Sequence, residues 1–125
     1  MVQPQSIVKI ADNSGALIGR VFKVLGSSKK RYASIGELVV ISIQKAVPRK
    51  TTKKKDVCYA IVVRQKAPFR RKDGSYIRFD ENAVVLVTKD AKKKEPVAGR
   101  IFGPIPREIG DMGYQKIISL APEVV

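Results

Sequence analysis

Apolar residues recur along the chain in short, β-branched runs separated by turn residues and clusters of charge. The segments SIVKIA, GRVFKVL, ELVVISIQKA, VCYAIVVRQ, SYIRF and NAVVLVTK each fit a strand, being rich in Val, Ile, Tyr and Phe and repeating every second residue. In ELVVISIQKA, Val39, Ile41 and Ile43 share one face while Ser42 and Gln44 share the other. In GRVFKVL, Arg20 and Lys23 interrupt the apolar run, which predicts a partly exposed strand. No segment among them carries a helical stripe. Six strands with short connections predict an all-β body, closed or nearly closed into a small barrel, because closure removes edges that would pair with other chains.

The turns support this layout. Asp12-Asn13-Ser14-Gly15 joins side chains that bond nearby backbone to a glycine that accepts positive φ. Asp73-Gly74 is a strong hairpin signal and is expected to join the strand before it to SYIRF. After Gly99 the texture changes: RIFGPIPREIGDMGYQKIISLAPEVV holds three prolines and no even alternation. Pro106 is placed for the first turn of a short helix through IPREIGD, with Gly110 near its end. YQKIISLA predicts a second short helix, closed off before Pro122. The expected organisation is one domain over residues 1–125, with a barrel body at about 1–98 and a short helical C-terminal appendage at about 99–125.

Composition adds a partner. The hydrophobic fraction of 44% suffices for one core, but 25 Lys+Arg against 11 Asp+Glu give a net charge of +14. Such an excess repels itself and is best tolerated against a polyanion, nucleic acid before an anionic membrane. No apolar run approaches the roughly 20 residues that span a bilayer, and the start MVQPQSIVKIADNSG does not resemble a signal peptide, so no membrane role is expected. Most of the basic residues fall in four connections between strands: Lys29 to Arg31, Lys45 to Lys55, Arg64 to Lys72, and Lys89 to Lys94. A merely solvated surface would mix its signs.

Folded RNA, held by shape and backbone, fits this pattern better than single strands. Single-strand binding wants aromatic platforms, and only Tyr32 and Phe69 sit among the basic loops of a chain without Trp. No helix-turn-helix or zinc-finger spacing points to sequence-specific DNA reading. The expected phosphate contacts are Lys29, Lys30, Arg31, Arg49, Lys50, Lys53, Lys54, Arg64, Lys66, Arg70, Arg71 and Lys72, with Arg78 bracing the hairpin.

Catalysis is disfavoured. The chain has no histidine, which removes the usual general base, the commonest metal ligand and every Ser-His or Cys-His pair. Adjacent Asp80 and Glu81 would point to opposite faces of a strand, and Asp80 is expected to pair with Arg78 or Arg71 or to cap the turn before Asn82. A GxxxxGK[ST] phosphate loop is absent. No enzyme activity, cofactor or metal is expected. Cys58, the one cysteine, reads as a small core residue in a reducing compartment. Two other classes stay open: a free single-strand-binding or chaperone-like barrel, and a metal-dependent phosphodiester-cleaving enzyme using Asp80.

The segment Ala60-Ile61-Val62-Val63, nine residues, Asp73-Gly74, four residues, then Phe79, Asn82 and Val85-Leu86 resembles the signature of universal large-ribosomal-subunit protein fourteen, bacterial type. KIADNSGA, KVLG, KRYASIGE, RRKDGSYIRFDENA, RIFGP-RE and KIISLAPEV extend the likeness over the whole chain. The resemblance implies a five-stranded barrel bound to large-subunit rRNA at the face meeting the small subunit, touching small-subunit rRNA in intersubunit bridges. It implies neighbouring large-subunit proteins three and nineteen as partners. It further implies a ribosome-silencing factor docking on a C-terminal surface of Arg100, Arg107 and Lys116. The implied location is the ribosome, in a cytoplasm or in an organelle stroma or matrix. Lys72 replaces a proline common before Asp-Gly, Leu17 a frequent arginine, and Gly99 and Gly110 a frequent threonine and arginine. Lys53-Lys54-Lys55-Asp56 has no glycine where relatives usually place one.

Overall fold

The computed structural model describes residues 2–26, 31–48, 56–88 and 95–125. Five strands close into a barrel in the order β1 (Ile7–Ile10), β2 (Ala16–Val24), β3 (Leu38–Ala46), β4 (Val57–Arg64) and β7 (Ala83–Val87). All neighbours are antiparallel except β1 and β7, which close the ring in parallel through Lys9↔Ala83 and Ile10↔Val84. Register shifts between Ala16 and Ile18 and between Val21 and Lys23 bend β2, as a small barrel requires. Gly19 in β2 sits at a close approach inside the barrel: a Cβ there would lie 2.9 Å from Ile41 Cδ1. Its missing side chain lets Ile41 fill the interior.

Period-two alternation builds the interior. Val8, Ile10, Val21, Val24, Val39, Ile41, Ile43, Ala60, Val62, Val84 and Leu86 form one buried cluster. Ser42 and Gln44 lie outward and half-buried, and Arg20, Phe22 and Lys23 are exposed, as the polar positions predict. Cys58 packs against this interior cluster.

The strands β4 and β7 differ: their outward residues are buried too. Ile61, Val63, Ala83, Val85 and Val87 join Ile35, Ile101, Ile105, Ile109 and Ile117 in a second cluster. The C-terminal segment supplies that cover, through α1 (Glu108–Asp111), α2 (Gln115–Leu120) and the parallel pair β8 (Pro104–Ile105) and β9 (Glu123–Val124). Burial on both faces explains why AIVV and AVVLV are continuous apolar runs.

Two local expectations need correction. SYIRF is strand only at Tyr76–Ile77 (β6), paired with Phe69–Arg70 (β5) in a two-stranded ribbon outside the barrel. After Ile77 the backbone turns back: the Phe79 amide donates to Gln65 O at 2.9 Å, so Arg78 and Phe79 leave the ribbon. Pro106 precedes α1, whose N-cap is Arg107, and lies outside its helical turn. No helix among the described residues is long and apolar enough to cross a membrane.

Candidate nucleic-acid interface

Antiparallel closure sorts the basic connections. With β1 and β7 running one way and β2 and β4 alternating with β3, the connections after β2 and β4 leave from one end of the barrel. Those after β3 and β7 leave from the other. The sequence places charge in all four, so the cationic segments originate at both ends rather than in one patch. Lys29, Lys30, Arg49, Lys50, Lys53 and Lys54 lie outside the described residues. Arg31 is exposed just before the Ala33 bridge to Val2.

The connection after β4 is the best defined. Its tip is an Asx turn: the Asp73 carboxylate accepts from the Ser75 hydroxyl at 2.6 Å and the Ser75 amide at 3.0 Å. The Ser75 hydroxyl and amide, then nearby Arg107 and Arg71, hold the Asp73 carboxyl below its ordinary value. Gly74, at φ 91°, completes the turn in the left-handed region.

The ribbon splits the Arg70-Arg71-Lys72 triplet. Arg70 and Lys72 are exposed. Between them Arg71 turns inward, its Nε 3.1 Å from Glu108 Oε1 and its Nη2 donating to Val125 O at 2.8 Å. Arg71 therefore ties the hairpin to the C-terminal segment, and the expected pair with Asp80 is replaced by Glu108. Lys66 and Arg78 are exposed, and neither side chain has a carboxylate partner among the described residues.

Arg64 departs furthest from its expected place. It ends β4 with only 4% of its surface exposed. Its Nη1 donates to Phe102 O at 3.0 Å and to Pro104 O at 3.4 Å, and Nη2 lies 3.3 Å from Glu81 Oε1. Burial lowers the Arg64 pKa and the Glu81 charge partly restores it. The guanidinium is thus largely buried and its Nη donors are engaged, and through the Phe102 and Pro104 carbonyls it clamps the C-terminal segment to β4. Gly103 is its counterpart, at φ 81° with room for a Cβ taken by Arg64 Nη1 at 2.1 Å.

Glu81 also sits 3.5 Å from Lys9 Nζ, so one member of the acidic pair bridges two cations. Neither acid lies on a strand. Among the described residues no group of three or more His, Cys, Asp or Glu is placed to hold a metal ion.

The turn after β1 stitches the same C-terminal segment from the other side. Asp12 Oδ1 accepts from the Ser14 hydroxyl at 2.6 Å and amide at 3.2 Å, while Oδ2 accepts from the Leu86 amide at 3.0 Å. Burial raises the Asp12 pKa, opposed by these bonds to Ser14 and Leu86. Asn13 exchanges bonds with Arg100: its amide donates to Arg100 O at 3.1 Å, and its Oδ1 accepts from the Arg100 amide at 3.2 Å. This fixes Arg100 in backbone and leaves it exposed. Exposed Arg107 stands at the N-cap position of α1, near Asp73, without a side-chain cap bond, and Lys116 on α2 pairs with Glu95 at 2.9 Å. The three cations expected to share a partner surface thus make separate local contacts.

Sequence reasoning missed the inward turns of Arg71 and Arg64. For Arg71 the only local hint was its place next to exposed Arg70, the last residue of β5, since successive residues of an extended chain face opposite ways. Nothing local marked Arg64, because its partners are carbonyls some forty residues downstream. Compared with known families, the whole chain, residues 1–125, matches the family model described as Ribosomal protein L14p/L23e.

Proposed function

The chain belongs to the ribosomal protein L14p/L23e family and is a structural constituent of the large ribosomal subunit, and from that premise we propose that it binds rRNA through basic segments at both barrel ends. Family membership bears out the resemblance read from the sequence. In this reading Arg31, Arg70, Lys72 and Arg78 contact phosphates of large-subunit rRNA, joined by Lys29, Lys30, Arg49, Lys50, Lys53 and Lys54, while Lys66, set beside the apolar wall of Ile7, Leu17 and Phe102, stands apart from them. Arg64 and Arg71 instead hold the scaffold. The protein contributes to the intersubunit face and bridges to small-subunit rRNA, which suits charge carried to both ends of a rigid body. Large-subunit proteins three and nineteen are its neighbours, and Arg100, Arg107 and Lys116 offer a ribosome-silencing factor a C-terminal surface.

One observation carries the reading: the Asp73 hairpin stands outside the closed barrel, anchored by Arg71 yet presenting Arg70 and Lys72 to solvent. A preorganised cationic prong loses little entropy on meeting RNA. Replacing Arg70 and Lys72 together by Ala should lower incorporation into large subunits, read by sedimentation of extract and blotting. Undiminished incorporation in competition with wild type rejects the assignment. The free-barrel alternative predicts a chain at the top of the gradient, and the nuclease alternative predicts metal-dependent RNA cleavage lost in Asp80→Ala.

A further inference from the structure

An open groove of about 550 Å³ runs along the outside of β1, between β2 and the connection that follows β4. Its wall is apolar. Ile7 is 52% exposed, Leu17 47% and Phe102 50%, and all three line it. Scattered exposed aliphatics are ordinary, but three converging on one concave surface are not.

The groove is built rather than incidental. Phe102 is pinned on both sides of its backbone: its amide donates to Ala11 O at 2.6 Å, and its carbonyl accepts from buried Arg64 at 3.0 Å. The ring is thereby held out from the barrel instead of folding into either core cluster. The rim is polar. Lys9 pairs with Glu81 at 3.5 Å, whereas Lys66 lines the same groove with no carboxylate partner among the described residues. The Lys66 backbone is anchored there, its amide donating to Asn82 Oδ1 at 2.9 Å.

We propose that this groove receives an extended segment of a neighbouring protein, which seats a bulky apolar side chain on Ile7, Leu17 and Phe102 and sets an adjacent carboxylate against Lys66. The occupant is held through side chains, because β1 is already paired on both edges, with β2 and β7, and cannot accept another strand. RNA suits the site less well. Its wall is apolar at Ile7 and Leu17 and holds one aromatic ring instead of a stacking platform, and two of the cations nearby, Lys9 and Arg64, are already engaged by Glu81. A second copy of the chain would bring another net charge of +14 against the first. The inference rests on membership of the large subunit only for where the partner is met.

The test places the photo-crosslinker p-benzoylphenylalanine at Leu17, and in a second variant at Ile7, in chains incorporated into large subunits. Subunits are purified, irradiated and digested, and the crosslinked peptides are sequenced by mass spectrometry. The expected product from either position is one protein segment with Asp or Glu within two or three residues of the linked apolar residue. Adding Lys66→Glu should cut its yield about tenfold, since it sets like charges against each other across the contact. Crosslinking to rRNA, to a segment without a carboxylate, or to nothing from both positions overturns the proposal. Incorporation, read on the same gradients, reports on the rRNA-binding assignment, so failure of that reading is distinguishable from an empty groove.

Discussion

Replacing Arg64 by Met removes a guanidinium while keeping most of the aliphatic stem that fills its site. Three interactions are lost. The bond to Phe102 O at 3.0 Å is a charged donor to a carbonyl, worth about 1.5–3 kcal/mol. The contact to Pro104 O, at 3.4 Å, lies near the limit of a hydrogen bond and contributes less. The pair with Glu81 at 3.3 Å is screened, because that carboxylate is 38% exposed, and contributes about 0–1 kcal/mol. Against these, the buried Arg64 Nε has no hydrogen-bond partner, and its removal offsets part of the loss. The expected net destabilisation is about 2–4 kcal/mol. Urea unfolding of the isolated protein should show a lower midpoint at unchanged slope. Affinity for an rRNA fragment, measured well below the midpoint, should stay within about twofold, a change of less than half a kcal/mol. A variant as stable as wild type whose rRNA affinity falls about tenfold would refute the clamp and return Arg64 to the phosphate-binding set.

The clamp has a second handle. Gly103→Ala should cost about 1–3 kcal/mol, because its φ of 81° disfavours a side chain and its Cβ would meet Arg64 Nη1. In the Arg64→Met background the loss should shrink by at least about 0.5 kcal/mol, read from a double-mutant cycle; strict additivity contradicts the contact. Asp12 predicts a pH dependence. Its folded pKa lies above the unfolded value, so the native state takes up the proton first as pH falls. Its contribution is therefore least favourable at neutral pH and improves as pH drops through the folded value toward about 4. Urea unfolding followed from pH 7 down to about pH 4 should show the stability gap between wild type and Asp12→Ala widening as pH falls, and a narrowing gap reverses the sign of the argument.

The barrel was legible because its alternation holds where only one face is buried, as in the second half of β3: Ile41 and Ile43 inward, Ser42 and Gln44 outward. The family signature supplied the strand number, and the structure bears it out with a closed ring of five. The short helices were legible from Pro106, Gly110 and Pro122 to within a residue or two. Less legible was the cover over β4 and β7. AIVV and AVVLV announce burial on both faces, but which segment buries the outer face is settled by the cluster that Ile61 and Val85 share with Ile105 and Ile117, far along the chain. The same distance hid the clamp. A basic residue after an apolar strand looks like the start of a cationic loop, and only the returning Phe102 and Pro104 carbonyls turn Arg64 inward. SYIRF failed as a full strand because period-two composition does not reveal how long a partner strand persists, and β5 offers two residues.

The central claim is that cations on the exposed face of the hairpin meet phosphate while those tied inward hold the fold. The salt dependence of rRNA binding measures this most directly, since each phosphate contact releases counterion and steepens the slope of log K against log[salt] by roughly 0.7–0.9. Loss of Arg70 and Lys72 together should make the slope shallower by about 1.5, and Arg64→Met should leave it unchanged. An unaltered slope in the double variant, or a shallower one in Arg64→Met, contradicts the account.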